Sequence, residues 1–273
     1  MKKLLVLLVL VMMFVMVGCG NNNLKFGKDL VKVGGMVDIL LELDSKNSDV
    51  GVMDSIMAGY YINEQYKDKL MIVPDLVLAD ETYGIAARKE GAYTAKVISK
   101  TIIDLAKEGK VKEIAQKYGL EESLCVDTNK VIDLSDETGK ADYDAIVAKG
   151  ELVVGYTIFA PIAYEEGTEL IGFDIDLAKA VAEKLGLKVK FQVINWGTKV
   201  FELESKNIDV IWNGMTITEE LQENTSISIA YLKNKQVAVI RVEDKEMYKT
   251  VEDMNEAIIC AELGSAGQMA VVK

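Results

Sequence analysis

Apolar residues recur three and four positions apart in several segments of the chain, a spacing that predicts amphipathic helices. The most regular segment, 173–185, ends before Gly186, a usual helix-ending residue. Its apolar face is formed by Phe173, Leu177, Val181 and Leu185. Further helices are predicted at 35–43, 55–62, 92–107 and 110–118.

Short apolar or alternating runs lie between these helices and predict strands. They are 29–33, 50–54, 70–73, 76–78, 83–88, 152–154, 189–193, 208–212, 236–240 and 257–260. We expect Pro74 to end the strand that begins at Leu70. Helices that feed strands are halves of βαβ units, so the alternation predicts an α/β fold with mainly parallel sheets flanked by helices.

One stretch of the chain occurs twice, as LELDSKNSDV at 41–50 and as FELESKNIDV at 201–210, with seven of ten positions identical. In both copies a helix runs through a polar turn into a buried strand. Asp54 follows the first strand, and the run 213–216 follows the second. Small polar groups beyond the carboxyl ends of parallel strands lie where open α/β sheets bind ligands. The repeat suggests two similar lobes with a site between them, although short shared decamers also arise by chance.

Composition narrows the function classes. The chain has 273 residues, half of them hydrophobic and 27% charged, which is typical of one large or two ordinary globular domains. The formal net charge of −12 argues against a nucleic-acid surface, which needs clustered Lys and Arg. The chain has no His and three Cys, so we expect no metal site and no cofactor. Cys125 and Cys260 could pair outside the cytoplasm, but we expect free thiols.

The first nineteen residues are predicted to be a targeting segment. A positively charged start precedes the apolar run 4–17, which is shorter than the roughly 20 residues of a spanning helix. The small residue before Cys19 resembles the bacterial lipoprotein cleavage box, with Met16 where Leu is more usual. On that resemblance residues 1–19 are a lipoprotein signal peptide, and Cys19 carries a lipid that attaches the protein to the membrane. The alternative is an uncleaved anchor, and both place the rest outside the cytoplasm.

Residues 149–218 contain the run F-x-P-x-x-Y from Phe159, the segment GFDIDLAKAVAEKLG and the run GMTIT from Gly214. They closely resemble the first lobe of the polar-amino-acid solute-binding proteins, the extracytoplasmic receptors of bacterial ABC importers. Residues 235–273, with AELGSAGQ, look like the start of that family's second lobe, and 28–120 look like its remainder. The resemblance implies a two-lobed, periplasmic-binding-protein-like fold with two hinge crossings.

The order of the two parts differs from the family, in which the segment like 149–273 comes first. The chain resembles a circular permutant, or two remnants of adjacent receptor genes fused end to end. Lobe 2 is then expected to combine 24–81 with 233–273, and lobe 1 to span 82–232. Lobe 1 includes an acidic connector at 121–148, whose alternative is a surface loop within one domain.

The resemblance also implies a ligand site between the lobes. Phe159 and Trp196 match the aromatic residues that sandwich the ligand side chain, with core packing as the alternative. Gly214 and Thr216 match positions that offer a backbone carbonyl and an N–H group.

The resemblance implies that three further residues bind the carboxylate and ammonium groups of an amino-acid ligand. Ser265 and Ala266 open a helix whose N–H groups suit a carboxylate, although Ser265 could be only a helix N-cap. Asp54 matches the acid that pairs with the α-ammonium group. It could also cap the helix that begins at Ser55.

One position departs from the family. Leu221 stands where the family has an Arg that binds the α-carboxylate with two hydrogen bonds, a strong and selective contact. The remaining arginines, Arg88 and Arg241, match framework strands. Loss of one member of such a pair costs about 2–5 kcal/mol. Weak amino-acid binding, a ligand without a carboxylate and lost function therefore all stay open.

Three functions are compared on this basis. The first is a lipid-anchored receptor that passes an amino acid or related small polar solute to an ABC permease. The second is a binding-impaired fragment or sensor module. The third, an enzyme on the same scaffold, is disfavoured because the sequence shows no His and no paired carboxylates, since Glu165 and Glu166 read as a solvated turn.

Overall fold

The structure, a computed structural model, describes residues 23–273. The predicted signal peptide and Cys19 lie outside these described residues. The strands are β1 Asp29–Val33, β2 Val50–Asp54, β3 Leu70–Arg88, β4 Glu151–Tyr156, β5 Tyr164–Glu166, β6 Glu169–Ile171, β7 Lys188–Val193, β8 Val210–Thr216, β9 Thr225–Ile227, β10 Leu232–Arg241 and β11 Ile258–Glu262. The helices are α1 Met36–Asp44, α2 Ser55–Glu64, α3 Ala92–Lys107, α4 Lys110–Lys117, α5 Lys140–Lys149, α6 Phe173–Lys184, α7 Lys199–Glu204, α8 Glu219–Asn224 and α9 Ala266–Val271.

The main sheet has the strand order β1-β11-β2-β10-β3-β8-β4-β7, and β9 pairs with β3. At one end β1, β11 and β2 are parallel, and at the other β8, β4 and β7 are parallel. Between them β10 and β3 run antiparallel to each other and to their neighbours. We call β1, β11 and β2 with α1, α2 and α9 the β2 half, and β8, β4 and β7 with α3 to α8 the β8 half. The predicted α/β fold, a mainly parallel sheet flanked by helices, is confirmed.

The hydrophobic core is partly shared and partly separate. The largest cluster of buried side chains draws on α1 and α2 of the β2 half and on α3, α4 and α6 of the β8 half. Two smaller clusters each belong to one half, around Val52 and Ile259 in the first and around Leu203 and Ile211 in the second. Each half therefore has apolar packing of its own in addition to the common core.

The strand β3 is longer than the sequence predicts. Three short strands were expected, with Pro74 as an end, but β3 is one strand of 19 residues. Its pairing with β10 skips from Ile72 to Val77, and Asp75 has a φ of 60° within the skipped stretch. A bulge leaves extra residues of one strand unpaired, so the missing N–H of Pro74 disrupts no ladder. The strand therefore continues and spans both halves.

The predicted acidic connector is partly helical. Residues 124–139 form no helix or ladder strand, but α5 begins at Lys140, inside the expected connector. The sequence shows no apolar stripe there because Ile146 is the single buried residue of α5. The helix is instead held by charge, since Asp142 accepts hydrogen bonds from Arg88 Nε at 2.5 Å and from Thr94 at 3.0 Å.

The two decamers have the same backbone geometry. Lys46 and Lys206, the sixth residue of each copy, have φ values of 60° and 61°. Asp49 and Asp209, the ninth residue of each, accept a hydrogen bond from a backbone N–H of a neighbouring strand at 2.9 and 2.8 Å. The repeat in the sequence is therefore also a repeat in structure.

Each decamer is bound by one arginine at the far end of a long strand. Arg241 ends β10, and its Nη1 donates to two carbonyl oxygens of the first copy at 3.2 and 2.7 Å. Arg88 ends β3 and does the same to the second copy at 3.4 and 2.7 Å. Each Nη2 reaches the ninth-residue aspartate, at 3.4 and 3.3 Å. These equivalent contacts explain the framework role predicted for both arginines.

A buried carboxylate connects α6 to the middle of the sheet. Asp174 is 1% exposed and accepts hydrogen bonds from the Gly214 N–H at 2.6 Å and from the Tyr231 hydroxyl at 2.8 Å. Burial raises its pKa to about 7, and the two hydrogen bonds oppose that rise. The group therefore titrates close to neutral pH.

We expect Arg88→Met to lower the free energy of unfolding by about 3–5 kcal/mol, because it leaves the buried carboxylate of Asp142 without its cation, although Asp209 keeps its ion pair with Lys149. The matched variant Arg241→Met should cost less, because the side chain of Asp49 is 31% exposed and water can replace the lost contact. Urea denaturation of both variants measures the difference. Equal losses would contradict the unequal burial of the two sites.

The buried Asp174 should make stability depend on pH. Its folded pKa of about 7 lies above the unfolded value of about 4, so the folded state binds the proton more tightly. This contribution is present below pH 4 and is lost as the pH rises through 7. The melting temperature of the wild type minus that of Asp174→Asn should therefore decrease as the pH rises from 5 to 8. A difference that does not change with pH would refute this assignment.

Candidate functional site

A single cavity between the β2 half and the β8 half is lined by all seven residues that the resemblance assigns to the ligand. These are Asp54, Phe159, Trp196, Gly214, Thr216, Ser265 and Ala266. The carboxyl ends of β2 and β11 and the loops after β4, β7 and β8 meet there, as expected for open α/β sheets.

The cavity is nearly closed. Its volume is about 30 Å³, which holds about one or two water molecules. A contact between the halves lies in its wall, where the Lys199 ammonium donates to the Gly264 carbonyl at 2.8 Å. A second contact joins the rings of Tyr60 and Tyr164, whose centroids lie 5.6 Å apart. A molecule the size of an amino acid therefore needs these contacts to separate before it can enter.

The aromatic residues form one wall of the cavity. Phe159 packs on Gly214, which has a φ of 60°, and a Cβ atom there would lie 2.5 Å from the Phe159 ring. Trp196 is 7% exposed and carries the Lys199 ammonium 4.8 Å from its ring centroid. The N–H group of Gly214 is taken by Asp174, so only its carbonyl remains for a ligand.

Asp54 faces the cavity as a carboxylate and does not cap α2 with its side chain. Asn234 takes that position, since its Oδ1 accepts from the Ile56 N–H at 3.2 Å. Asp54 instead accepts from the Tyr83 hydroxyl at 3.1 Å and from Gln236 Nε2. Burial, and then the nearby negative charge of Glu81, raise the pKa of Asp54 well above its usual value. A cationic group beside it would offset that cost.

Ser265 is the N-cap of α9, which is the alternative role that the sequence allows. Its hydroxyl accepts from the Gln268 N–H at 3.1 Å at the start of α9. Ala266 begins the helix, where N–H groups have no acceptor within the helix. With six residues, α9 contributes only a weak helix dipole.

Leu221 forms an apolar part of the wall and is 5% exposed. Both arginines bind the decamers, and neither lines the cavity. The positive charge of the site is instead Lys199, which sequence reasoning missed. It is 8% exposed, and its ammonium donates to the carbonyl oxygens of Gly264 and Trp196 at 2.8 and 3.3 Å.

Glu262 is the second residue that was missed. It is 3% exposed at the end of β11, and burial raises its pKa to about 7 although the charge of Lys199 opposes the rise. Its Oε1 has no hydrogen-bond partner, and neither has Oδ1 of Asn213, another lining residue. Two residues that line the cavity thus carry buried acceptor atoms without a hydrogen-bond donor.

Both missed residues had signals in the sequence. Glu262 directly follows an apolar strand, which is the same rule that selected Asp54. Lys199 and Leu203 are four residues apart in α7, so a charged residue shares the buried face of a helix. A lysine on an apolar stripe indicates a buried charge with a specific role.

The expectation that the chain lacks paired carboxylates is wrong. Gln236 Nε2 donates to both Asp54 and Glu81, at 3.0 Å for Glu81, which brings the two carboxyl groups together beside the cavity. The residues lie 27 positions apart, so spacing in the sequence does not reveal the pair. Cys125 and Cys260 are free thiols, as predicted.

Residues 23–273 contain neither a cluster suited to a metal ion nor a helix suited to a membrane. No group of three or more Cys, Asp or Glu side chains in this part of the chain is arranged to hold a metal ion. Among the helices of the same residues, none combines the length and the apolar content needed to cross a bilayer.

Comparison with known proteins gives a family match. Residues 152–266 match the model of the bacterial extracellular solute-binding proteins, family 3. The arginine-binding extracellular protein ArtP of Bacillus subtilis is 27% identical over 128 residues, which are 46% of this chain and 49% of ArtP. Cyclohexadienyl dehydratase of Pseudomonas aeruginosa is 28% identical over 127 residues, 45% of this chain and 47% of the enzyme.

A solved structure of a substrate-binding protein of an ABC uptake transporter from Streptococcus pneumoniae, with bound histidine, is 36% identical. The match covers 30% of this chain and 35% of that one, with a TM-score of 0.30, too low to compare the overall arrangement. The chain spans about half the length of the curated relatives it matches. The resemblance to the amino-acid-binding proteins of ABC transporters is confirmed, and it is carried by residues 152–266, which match the bacterial extracellular solute-binding proteins, family 3.

Proposed function

We propose that this protein is a lipid-anchored, extracytoplasmic receptor of an ABC importer that binds an amino acid in the cavity between its two halves. The observation that carries the proposal is the convergence of seven residues, chosen by motif alone, around one cavity. They come from five separate parts of the chain, between Asp54 and Ala266. Permease docking and delivery of the solute follow from the family's role in transport.

The polar groups of the cavity support a ligand that carries an ammonium group. Asp54 and Glu262 are buried carboxylates, and the Oε1 of Glu262 and the Oδ1 of Asn213 lack donors. Buried acceptors without donors are costly, and a ligand ammonium supplies up to three N–H donors. This preference agrees with one relative, ArtP, which is named as an arginine-binding protein, because arginine carries an ammonium group.

The two halves are proposed to be lobes that open and close. Residues 24–81 and 233–273 would form lobe 2, and 82–232 lobe 1, with β3 and β10 as the hinge crossings. Parallel pairing of β1 with β11 supports lobe 2, since it joins the two segments in one sheet. The permuted order of the parts stays a prediction.

Two alternative functions, a binding-impaired module and an enzyme, are each supported by one feature of the site. A binding-impaired module fits the loss of the carboxylate-binding Arg at Leu221. An enzyme fits the Asp54 and Glu81 pair and the similarity to a dehydratase. A receptor is favoured because most of the matching relatives are named as binding proteins.

Amino-acid binding should raise the melting temperature, because a ligand bound only by the folded state stabilises it. We expect at least one of the twenty amino acids at millimolar concentration to do so, with a smaller radius of gyration in small-angle scattering as the halves close on it. Asp54→Asn should weaken binding by roughly thirty-fold to several thousand-fold, since the ligand ammonium loses its buried partner.

A matched control is Asp44→Asn, which removes the same charge from an exposed ion pair with Lys69. It should leave affinity unchanged. If no amino acid shifts the melting temperature, the receptor function is refuted and the binding-impaired module is favoured. If a ligand is consumed during the measurement, the protein is an enzyme.

The lipid anchor is tested separately in cells. Labelled palmitate fed to the cells should label the wild type and leave Cys19→Ala unlabelled, because no thioether can form without the Cys19 sulfur. A wild type that remains unlabelled in the membrane fraction would indicate that the apolar run 4–17 remains as an uncleaved anchor.

A further inference from the structure

We propose that Lys199 binds the carboxylate of the ligand, and so replaces the arginine that is absent at Leu221. This inference rests on the proposed function and names the residue that selects a carboxylate. Both residues line the same cavity from the β8 half. The charge of the site is therefore retained at a different position.

The charge of Lys199 is incompletely compensated in the protein. Its side chain is buried and, among residues 23–273, forms no ion pair. Two backbone carbonyls and the face of Trp196 are its partners. Burial lowers the pKa of Lys199, while the negative charges of Glu262 and Glu220 oppose the decrease. A buried ammonium that forms no ion pair is unfavourable, so an anionic group of the ligand would stabilise it.

The position of the ammonium agrees with the place expected for a carboxylate. Lys199 donates to the carbonyl of Gly264, the residue directly before Ser265 and Ala266. Those two residues match the family positions that bind the ligand carboxylate, a match made without reference to Lys199. The Ser265 N–H already donates to the Glu262 carbonyl at 3.2 Å, so the Ala266 N–H is the group left for a carboxylate. A carboxylate there would lie beside the ammonium, which can then exchange a neutral carbonyl for an anion.

Glu262 indicates that the ligand carries an ammonium group as well as a carboxylate. It attracts Lys199 from the opposite half, yet its Oε1 has no donor. A zwitterion satisfies both, because its carboxylate pairs with Lys199 and its ammonium with Asp54 and Glu262. An amine without a carboxylate leaves Lys199 unpaired. The ligand class is therefore an α-amino acid.

The experiment compares each amino acid with its decarboxylated amine by calorimetry: L-arginine with agmatine, and L-histidine with histamine. The wild type should prefer the amino acid. Lys199→Met should weaken amino-acid binding by about thirty-fold or more and change amine binding by less than about threefold. The double variant Lys199→Met with Leu221→Arg should regain most of the loss, because an Arg at 221 restores a cation in the same cavity.

A control is Lys190→Met, which removes an exposed lysine of β7 and should change neither affinity. Wild-type binding that Lys199→Met leaves intact, with the same preference for the amino acid, would overturn this inference alone. Failure of the wild type to bind L-arginine or L-histidine would overturn the inference about Lys199. The proposed function is tested separately, by the melting temperatures measured with all twenty amino acids.

Stability without ligand provides a second, independent readout. A residue with a purely structural role should lower the melting temperature when it is replaced. Lys199→Met should instead leave the melting temperature of the ligand-free protein equal or higher, because methionine removes a buried charge and keeps most of the volume. A lower melting temperature together with unchanged ligand preference would show that Lys199 is structural.

Discussion

The antiparallel pairing of β3 with β10 is the contact on which the rest of the structure depends. These two strands alone run through the middle of the sheet and join its two parallel groups. Each ends in an arginine that binds one decamer, Arg88 in the β8 half and Arg241 in the β2 half. The same pair of strands supplies Tyr83 and Gln236, which hold Asp54 at the cavity. One pairing therefore sets the distance between the halves and the position of an acid between them.

The cavity is lined by buried charged groups that the protein compensates only in part. Asp54 and Glu262 are held at raised pKa values by burial, while burial lowers the pKa of Lys199. Each group is displaced toward its neutral form because burial disfavours the charged form. A small zwitterion has the complementary charges. Its binding would restore the ionised forms and strengthen the contacts that close the halves, which is how a ligand favours one conformation over another.

Local patterns predicted most elements because helix and strand periodicities depend on neighbouring residues. The sequence predicts the helix at 92–107 with both of its observed ends, and it shows the repeat of 41–50 at 201–210 directly. The errors have physical causes. The strand β3 continues past Pro74 because a bulge there removes the need for a backbone N–H. The sequence does not predict α5 because this helix is stabilised by the ion pair of Asp142 rather than by an apolar face.

The sequence by itself determined the alternation of helices and strands, the repeated turn and, through its motifs, seven residues that line one cavity. These properties are local or are carried by short runs of residues. The tertiary structure alone decided the nearness of Asp54 to Glu81 and of Lys199 to Gly264 and Glu262, because those pairs belong to different elements. Burial, and the pKa changes that it causes, depends on atoms distant in the chain, so no pattern of neighbours contains it.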